Sequence, residues 1–197
     1  MKRAFDILLS LFALLMLFPV FLFISAWVKL DSRGGIFYSQ IRVGRGNRDF
    51  RMYKFRTMHP GADQKGLLTV GGRDPRVSRA GYYLRKAKID ELPQLFNILI
   101  GNMSFVGPRP EVRKYVDMYT HEQMAVLQVR PGLTDYASLE YFDENNLLSS
   151  SPDPEKIYIN EIMPAKLQLN LKYIREQSLS NDLRIIMRTI GVIFNSN

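Results

Sequence analysis

From Ile7 to Val28 the chain runs 22 residues without a charge, ILLSLFALLMLFPVFLFISAWV, long enough to cross a bilayer if it were straight. Pro19, near the middle, removes one helical hydrogen bond and permits a kink. Beyond it the apolar runs shorten. Gly34-Gly35 marks a turn, Ile36 to Ile41 reads as a short strand, Gly44 and Gly46 turn the chain, and Phe50 to Met58 reads as a second extended segment with Arg51, Lys54 and Arg56 among its apolar residues. Residues 59–75 carry four glycines and no apolar periodicity, the pattern of a mobile loop that could cover substrate. Helical spacing then takes over. A short helix is predicted from Gly81 to Lys88, a second through Leu92, Leu95, Phe96 and Leu99 that stops at Gly101-Asn102, and two pieces between Glu111 and Val129. After a polar loop from Asn145 to Pro154 comes a long helix, Glu155 to Gln177, interrupted by Pro164. Asn181-Asp182 caps a last helix with Leu183, Ile186, Met187, Ile190 and Phe194 on one face and Arg184 and Arg188 off it. That face can pack on the core or lie in the headgroup plane of a membrane. The fold class is therefore α+β and mostly helical, with residues 1–30 as a membrane element and 31–197 as one small domain. No GxGxxG follows a strand, so a dinucleotide-binding sheet has no support.

Charge sharpens this picture at the N-terminus. Lys2 and Arg3 precede the apolar run, and Lys29, Arg33, Arg42, Arg45, Arg48 and Arg51 follow it, so the positive-inside bias draws both ends to the cytoplasmic side. A helix that enters the membrane, breaks at Pro19 and returns satisfies both flanks, whereas a simple span satisfies one. No small-x-small cleavage pattern follows the run, which separates it from a secretory signal. The net charge of +8 attracts anionic partners without choosing among phosphorylated small molecules, acidic lipid and nucleic acid. The absence of cysteine excludes disulfides, thiolate zinc sites and a cysteine nucleophile, and two histidines leave little material for a His-rich metal site.

Candidate chemistry is concentrated between Lys88 and Pro110, KIDELPQLFNILIGNMSFVGPRP. Pro93 is best tolerated in a first helical turn, which predicts Asp90 and Glu91 at a helix start, where unpaired N–H groups and the helix dipole favour ionised carboxylates. An anionic Asp there can act as a nucleophile or metal ligand, although Asp-Glu-x-Pro is equally the signature of a plain acidic helix start. Pro108 and Pro110 bracket Arg109, holding the backbone extended and presenting a guanidinium from a stiff loop, a good way to aim a bidentate donor at phosphate.

The run RKAKIDELPQLFNILIGNMSFVGPRP, with KFRTM upstream and RPGLT downstream, resembles the bacterial sugar transferase family, the monotopic phosphoglycosyl transferases, in a minimal form carrying only the catalytic unit. The resemblance implies transfer of a phosphosugar from a UDP-sugar to membrane polyprenyl (undecaprenyl) phosphate, releasing UMP, on the cytoplasmic face of the bacterial inner membrane. It further implies Asp90 as nucleophile, Glu91 as ligand to Mg²⁺, and Lys54, Arg56, Arg85 and Arg109 as the substrate-binding set. Two departures stand out. The family often has Ser before the membrane proline, where this chain has Phe18. Many members follow the RPGLT signature with Gly-Leu-Ala-Gln and then Gly-Arg; here Asp135-Tyr136-Ala137-Ser138 and Glu140-Tyr141-Phe142 stand there, which leaves the sugar open.

Two other classes compete. A metal-dependent phosphohydrolase would use the same carboxylates with water as acceptor. A membrane-anchored basic adaptor for acidic lipid would account for anchor and charge but not for DELPQ or GPRP. Nucleic acid is not an expected partner, since stacking aromatics interleaved with the basic residues are sparse and known nucleic-acid motifs are absent.

Overall fold

The computed structural model describes residues 1–62, 74–142, 144–149 and 152–195. Most of the expected loop at 59–75 lies outside these residues. The fold is mostly helical, as the patterning predicts, with two small sheets. Helix α1 (Lys2–Met16) and helix α2 (Phe18–Asp31) form a pair bent by 62°. The break falls at Leu17, two residues before Pro19, which occupies the first turn of α2, where its missing N–H costs nothing. No single helix among the described residues is long and apolar enough to cross a membrane; the bent pair has the length and composition of a broken span or a re-entrant loop. Its outward faces are apolar, with Leu8, Phe12, Leu15, Phe18 and Phe23 all exposed.

Strands β1 (Phe37–Val43) and β2 (Asp49–Phe55) pair antiparallel with Phe37 opposite Phe55. Helix α3 (Arg79–Lys86), capped by the Ser78 hydroxyl, starts two residues before the expected position. Helix α4 (Gln94–Ile100) ends at Gly101, whose φ of 97° is a left-handed helix stop. Strand β3 (Ser104–Val106), helix α5 (Arg113–Val116) and strand β4 (Gly132–Thr134) follow, β3 and β4 pairing in parallel. This second small sheet is missing from the sequence reading because three-residue strands carry no alternation to detect. Helices α6 (Tyr136–Glu140), α7 (Glu144–Ser149) and α8 (Pro154–Ile157) lead to α9 (Met163–Arg175), with a wide π-turn over Tyr158–Ile162. The wide turn lies just before Pro164, which has no N–H to give to a regular ladder.

The last helix, α10 (Leu179–Asn195), buries Ile185 and part of Ile186 in the main core and leaves Leu183, Met187, Ile190 and Phe194 exposed. Packing and an outward apolar face thus divide one helix between them. That core gathers Met52, Leu95, Ile98, Met103, Phe105 and Tyr173, and a second cluster around Phe21, Ile24, Val28, Phe55 and Leu84 joins α2 to β2 and α3.

Polar contacts weld the bent pair to this body at both ends. At the α1 end, Lys2 donates to the Val106 carbonyl (2.9 Å), the Tyr173 hydroxyl (2.8 Å) and Asp182 (2.5 Å). Arg3 satisfies the last carbonyls of α4 at Ile98 and Leu99, and buried Asp6 accepts from Ser104 and the Phe105 N–H. At the α2 end, Asp31 accepts the Ala80 N–H at 3.0 Å.

Candidate active site

The backbone around the acidic pair differs from a simple helix start. Lys88 adopts a left-handed conformation (φ 57°, ψ 13°), ends the turn after α3, and sends Ile89–Glu91 into a separate 3₁₀ turn; α4 begins only at Gln94, with Pro93 as its cap. Helix-start N–H groups therefore do not hold the acidic pair. Side-chain cations surround it instead.

Glu91 is the hub. Lys54, on β2, donates to its Oε1 at 2.8 Å, and Arg109 closes a two-pronged fork, Nη1 to Oε2 at 3.2 Å and Nη2 to Oε1. Burial alone would push the Glu91 carboxyl up, but Arg109 and Lys54, by charge and hydrogen bond, hold it well below the usual carboxylate range. Glu91 in turn raises the Arg109 pKa. Asp90 behaves in the opposite way. It is 6% exposed, and burial, assisted by the neighbouring Glu91 charge, raises its pKa against the pull of Lys54, Arg85 and Lys88. The expectation of an effortlessly ionised Asp90 is corrected: its charged form is disfavoured by desolvation and sustained by cations. Arg85, on α3, is part of that field, its own pKa lowered by burial and supported by Asp90.

Two devices fix the cations. Asn97, fully buried on α4, accepts the Tyr53 N–H (2.9 Å) and donates to the Arg51 carbonyl (2.7 Å), locking α4 to β2 beside Lys54. The Arg109 loop is bonded along its backbone: Gly107 N–H to Thr134, Gly132 N–H to the Pro108 carbonyl, Arg109 N–H to Asp135 (3.0 Å), Arg42 to the Pro110 carbonyl, and Val43 N–H to the Glu111 carbonyl. Gly107 and Gly132 meet so closely that a Cβ on Gly132 would lie 2.1 Å from the Gly107 nitrogen, so the GPRP and RPGLT signatures are two halves of one contact.

Arg56 is not brought to the acidic pair. It is buried, and its guanidinium donates to the carbonyls of Val28 (3.3 Å), Ser32 (2.7 Å) and Arg33, capping the end of α2. Gly34 permits this, since a Cβ there would sit 2.1 Å from the guanidinium. A basic residue in a signature thus clamps the bent N-terminal pair, and alternation along Phe50 to Met58 could not distinguish it from Lys54. Sequence reasoning also missed Lys88, Asn97 and Asp135. Asp135, inside the segment that departs from the commoner pattern, is completely buried, caps α6 through the Ser138 N–H (2.6 Å) and holds the Arg109 backbone.

Among the described residues no group of three or more His, Asp or Glu side chains converges as a metal cage. Magnesium is commonly held by one or two carboxylates, with substrate phosphate and water completing its shell. The Asp90-Glu91 pair fits an ion shared with a substrate in that way, at the cost of loosening the contacts that Glu91 makes to Lys54 and Arg109.

The bacterial sugar transferase family model matches residues 1–196. The chain belongs to the bacterial sugar transferase family. It is 38% identical to the UDP-N-acetylgalactosamine-undecaprenyl-phosphate N-acetylgalactosaminephosphotransferase of Aeromonas hydrophila, over 98% of this chain and 43% of that protein. It is 34% identical to the UDP-glucose:undecaprenyl-phosphate glucose-1-phosphate transferase of Escherichia coli K12, over 96% of this chain and 39% of that protein. The exopolysaccharide production protein PSS of Rhizobium leguminosarum is 36% identical and matched along 93% of its own length. The chain thus spans less than half the length of the first two relatives and nearly all of the third.

Proposed function

We propose that this protein transfers a phosphosugar from a UDP-sugar to polyprenyl phosphate in a membrane, releasing UMP. The observation that carries this reading is the site itself: a desolvated carboxylate, Asp90, beside a carboxylate already committed to two cations, in a field of four basic side chains, Lys54, Arg85, Lys88 and Arg109. Such a field suits a reaction in which polyanions must approach one another. Family membership and the named activities of the relatives support the same substrates.

The chemistry is a double displacement. An Asp90 carboxylate oxygen attacks the β-phosphorus of the UDP-sugar, the bond from that phosphorus to the bridging oxygen breaks, and UMP leaves with the electron pair. A polyprenyl phosphate oxygen then attacks the phosphorus of the aspartyl-phosphosugar; the bond to Asp90 breaks and the carboxylate is restored. Burial makes Asp90 poorly solvated and hence a stronger nucleophile once ionised, and Arg85 and Lys54 keep that ionised form accessible. Arg109 and Lys54 hold Glu91 anionic, so Glu91 would bind Mg²⁺ jointly with the diphosphate, and the ion would neutralise charge on it.

The bent α1–α2 pair supports a monotopic placement on the cytoplasmic face of the inner membrane. Lys2 and Asp31, at opposite ends of the pair, are bonded to the same folded body, an arrangement a straight span cannot satisfy. The exposed apolar faces of the pair and of α10 would then enter one leaflet, and the lipid phosphate would meet the site at headgroup depth. A cysteine at exposed position 4 (Ala4→Cys) in this cysteine-free chain should resist an impermeant thiol reagent in intact cells and react once the membrane is opened. Labelling in intact cells would overturn the re-entrant placement.

The activity is tested by incubating the protein in lipid with a UDP-sugar and polyprenyl phosphate. Multiple turnovers of UMP release should require both. Sustained release with water alone would favour the phosphohydrolase, and no release with any UDP-sugar would favour the adaptor.

A further inference from the structure

Among the cations around the acidic pair, Lys88 is the one that sequence patterning did not single out, and it is set apart in three ways. First, its ammonium makes no side-chain hydrogen bond or ion pair among the described residues, whereas the Lys54 and Arg109 side chains are both engaged by Glu91. Second, its ammonium is held 5.1 Å from the centre of the Phe142 ring, a cation–π contact that orients a charge without neutralising it. Third, its backbone lies at φ 57°, a left-handed conformation that a β-carbon disfavours and that glycine would adopt freely. A half-buried ammonium two residues before Asp90, near the Asp90 and Glu91 charges yet without a hydrogen-bond acceptor of its own, is costly for stability and is completed by a bound anion.

We propose that Lys88 is a phosphate-binding residue of this site, its ammonium aimed by Phe142 at a phosphate oxygen of one of the two substrates. The proposal rests on the transferase reading and adds one residue and one recognition element to it. Phe142 lies in the segment that departs from the commoner family pattern, so that segment helps to shape phosphate recognition through Lys88. The shared chemistry is a phosphate oxygen carried by either the nucleotide diphosphate or the lipid phosphate, and the test separates the two.

UMP release is measured at varied UDP-sugar and varied polyprenyl phosphate for wild type, Lys88→Met, Lys88→Arg and Phe142→Leu, alongside titration of the full-length protein with UDP and with a short-chain polyprenyl phosphate. Lys88→Met should raise KM for one substrate about tenfold or more, the substrate whose phosphate Lys88 meets, and weaken binding of the matching probe. Lys88→Arg should recover most of the loss, and Phe142→Leu should give a smaller rise in the same KM. Lys88→Gly should raise the melting temperature by relieving the left-handed strain while losing affinity as Lys88→Met does. That divergence guards against a folding defect. If Lys88→Met and Lys88→Gly leave both KM values and both binding curves unchanged, Lys88 is a surface cation and the proposal is overturned. If wild type itself fails to turn over, the transferase reading fails, and the UDP and polyprenyl phosphate titrations still decide whether Lys88 binds phosphate.

Discussion

The lysine-carboxylate cluster around Lys2 and the one around Glu91 are built to opposite rules. In the first, Lys2 is met by Asp182, by the Tyr173 hydroxyl and by the Val106 carbonyl, and the same hydroxyl also donates to Asp182; every strong donor has an acceptor. In the second, Glu91 collects Lys54 and Arg109 while Asp90 next to it is buried against its own charge and Lys88 is oriented only by an aromatic ring. The first cluster fastens α1 to β3, α9 and α10. The second leaves the Lys88 ammonium without a hydrogen-bond acceptor among the described residues. A saturated buried network is the mark of a structural joint, and an unsaturated one with perturbed carboxylates is the mark of a candidate site.

Breaking each cluster should give contrasting signatures. The largest effect belongs to Asp90→Asn, which should lower turnover on the order of 10⁴-fold or more, as loss of a nucleophile does. Folding stability should rise, not fall. Burial raises the Asp90 pKa above its unfolded value, so the folded state holds the proton longer, and wild-type stability declines as pH climbs from the unfolded pKa of about 3.9 to the folded one. The asparagine has no such term, so its advantage should grow over that window and then level off in denaturant titrations at stepped pH. Glu91→Gln should cost on the order of 10² to 10³ in turnover through lost electrostatic stabilisation. It should also lower stability by about 1.5–3 kcal/mol, because Arg109 and Lys54 lose a charged acceptor. The Glu91 pKa is depressed, so its stabilisation is present above the unfolded Glu pKa and fades only as pH falls toward the folded value; the wild-type advantage over Glu91→Gln should shrink in acid.

In the saturated cluster the pattern reverses. Lys2→Met strands buried Asp182 and should lower stability by about 2–3 kcal/mol, below the full cost of a broken buried pair because the Lys2 side chain is 28% exposed. Its kcat in the folded fraction should stay within a few-fold of wild type. The smallest change expected in the Glu91 cluster is Arg109→Lys, roughly tenfold in kcat/KM, since a point charge remains while the two-pronged fork is lost. Comparable kinetics would assign Arg109 a merely structural place.

The acidic pair, the bracketed arginine and the broken apolar run were legible in the sequence because each depends on local chemistry: a proline, a carboxylate pair, a charge-free stretch. What stayed hidden depends on distance in the chain. Lys2 and Arg3 read as flanking charges, yet they dock on residues about a hundred or more positions away. Arg56 and Lys54 lie two residues apart in one extended segment, and only the fold assigns the first to the α2 carbonyls and the second to Glu91. The pKa of Asp90 was misjudged for the same reason, since burial by the rest of the chain outweighs the local helix start on which the expectation relied. Asp135 looked like a loss relative to a commoner pattern and proves to be the support of the Arg109 loop.

The central claim is that Asp90 becomes covalently linked to the phosphosugar, and isotope exchange tests it most directly. Labelled UMP is incubated with UDP-sugar and enzyme in lipid, without polyprenyl phosphate. A covalent intermediate predicts that label enters the UDP-sugar with wild type and not with Asp90→Asn. Full turnover in the complete assay together with no exchange in the absence of acceptor, or exchange that survives in Asp90→Asn, would contradict it.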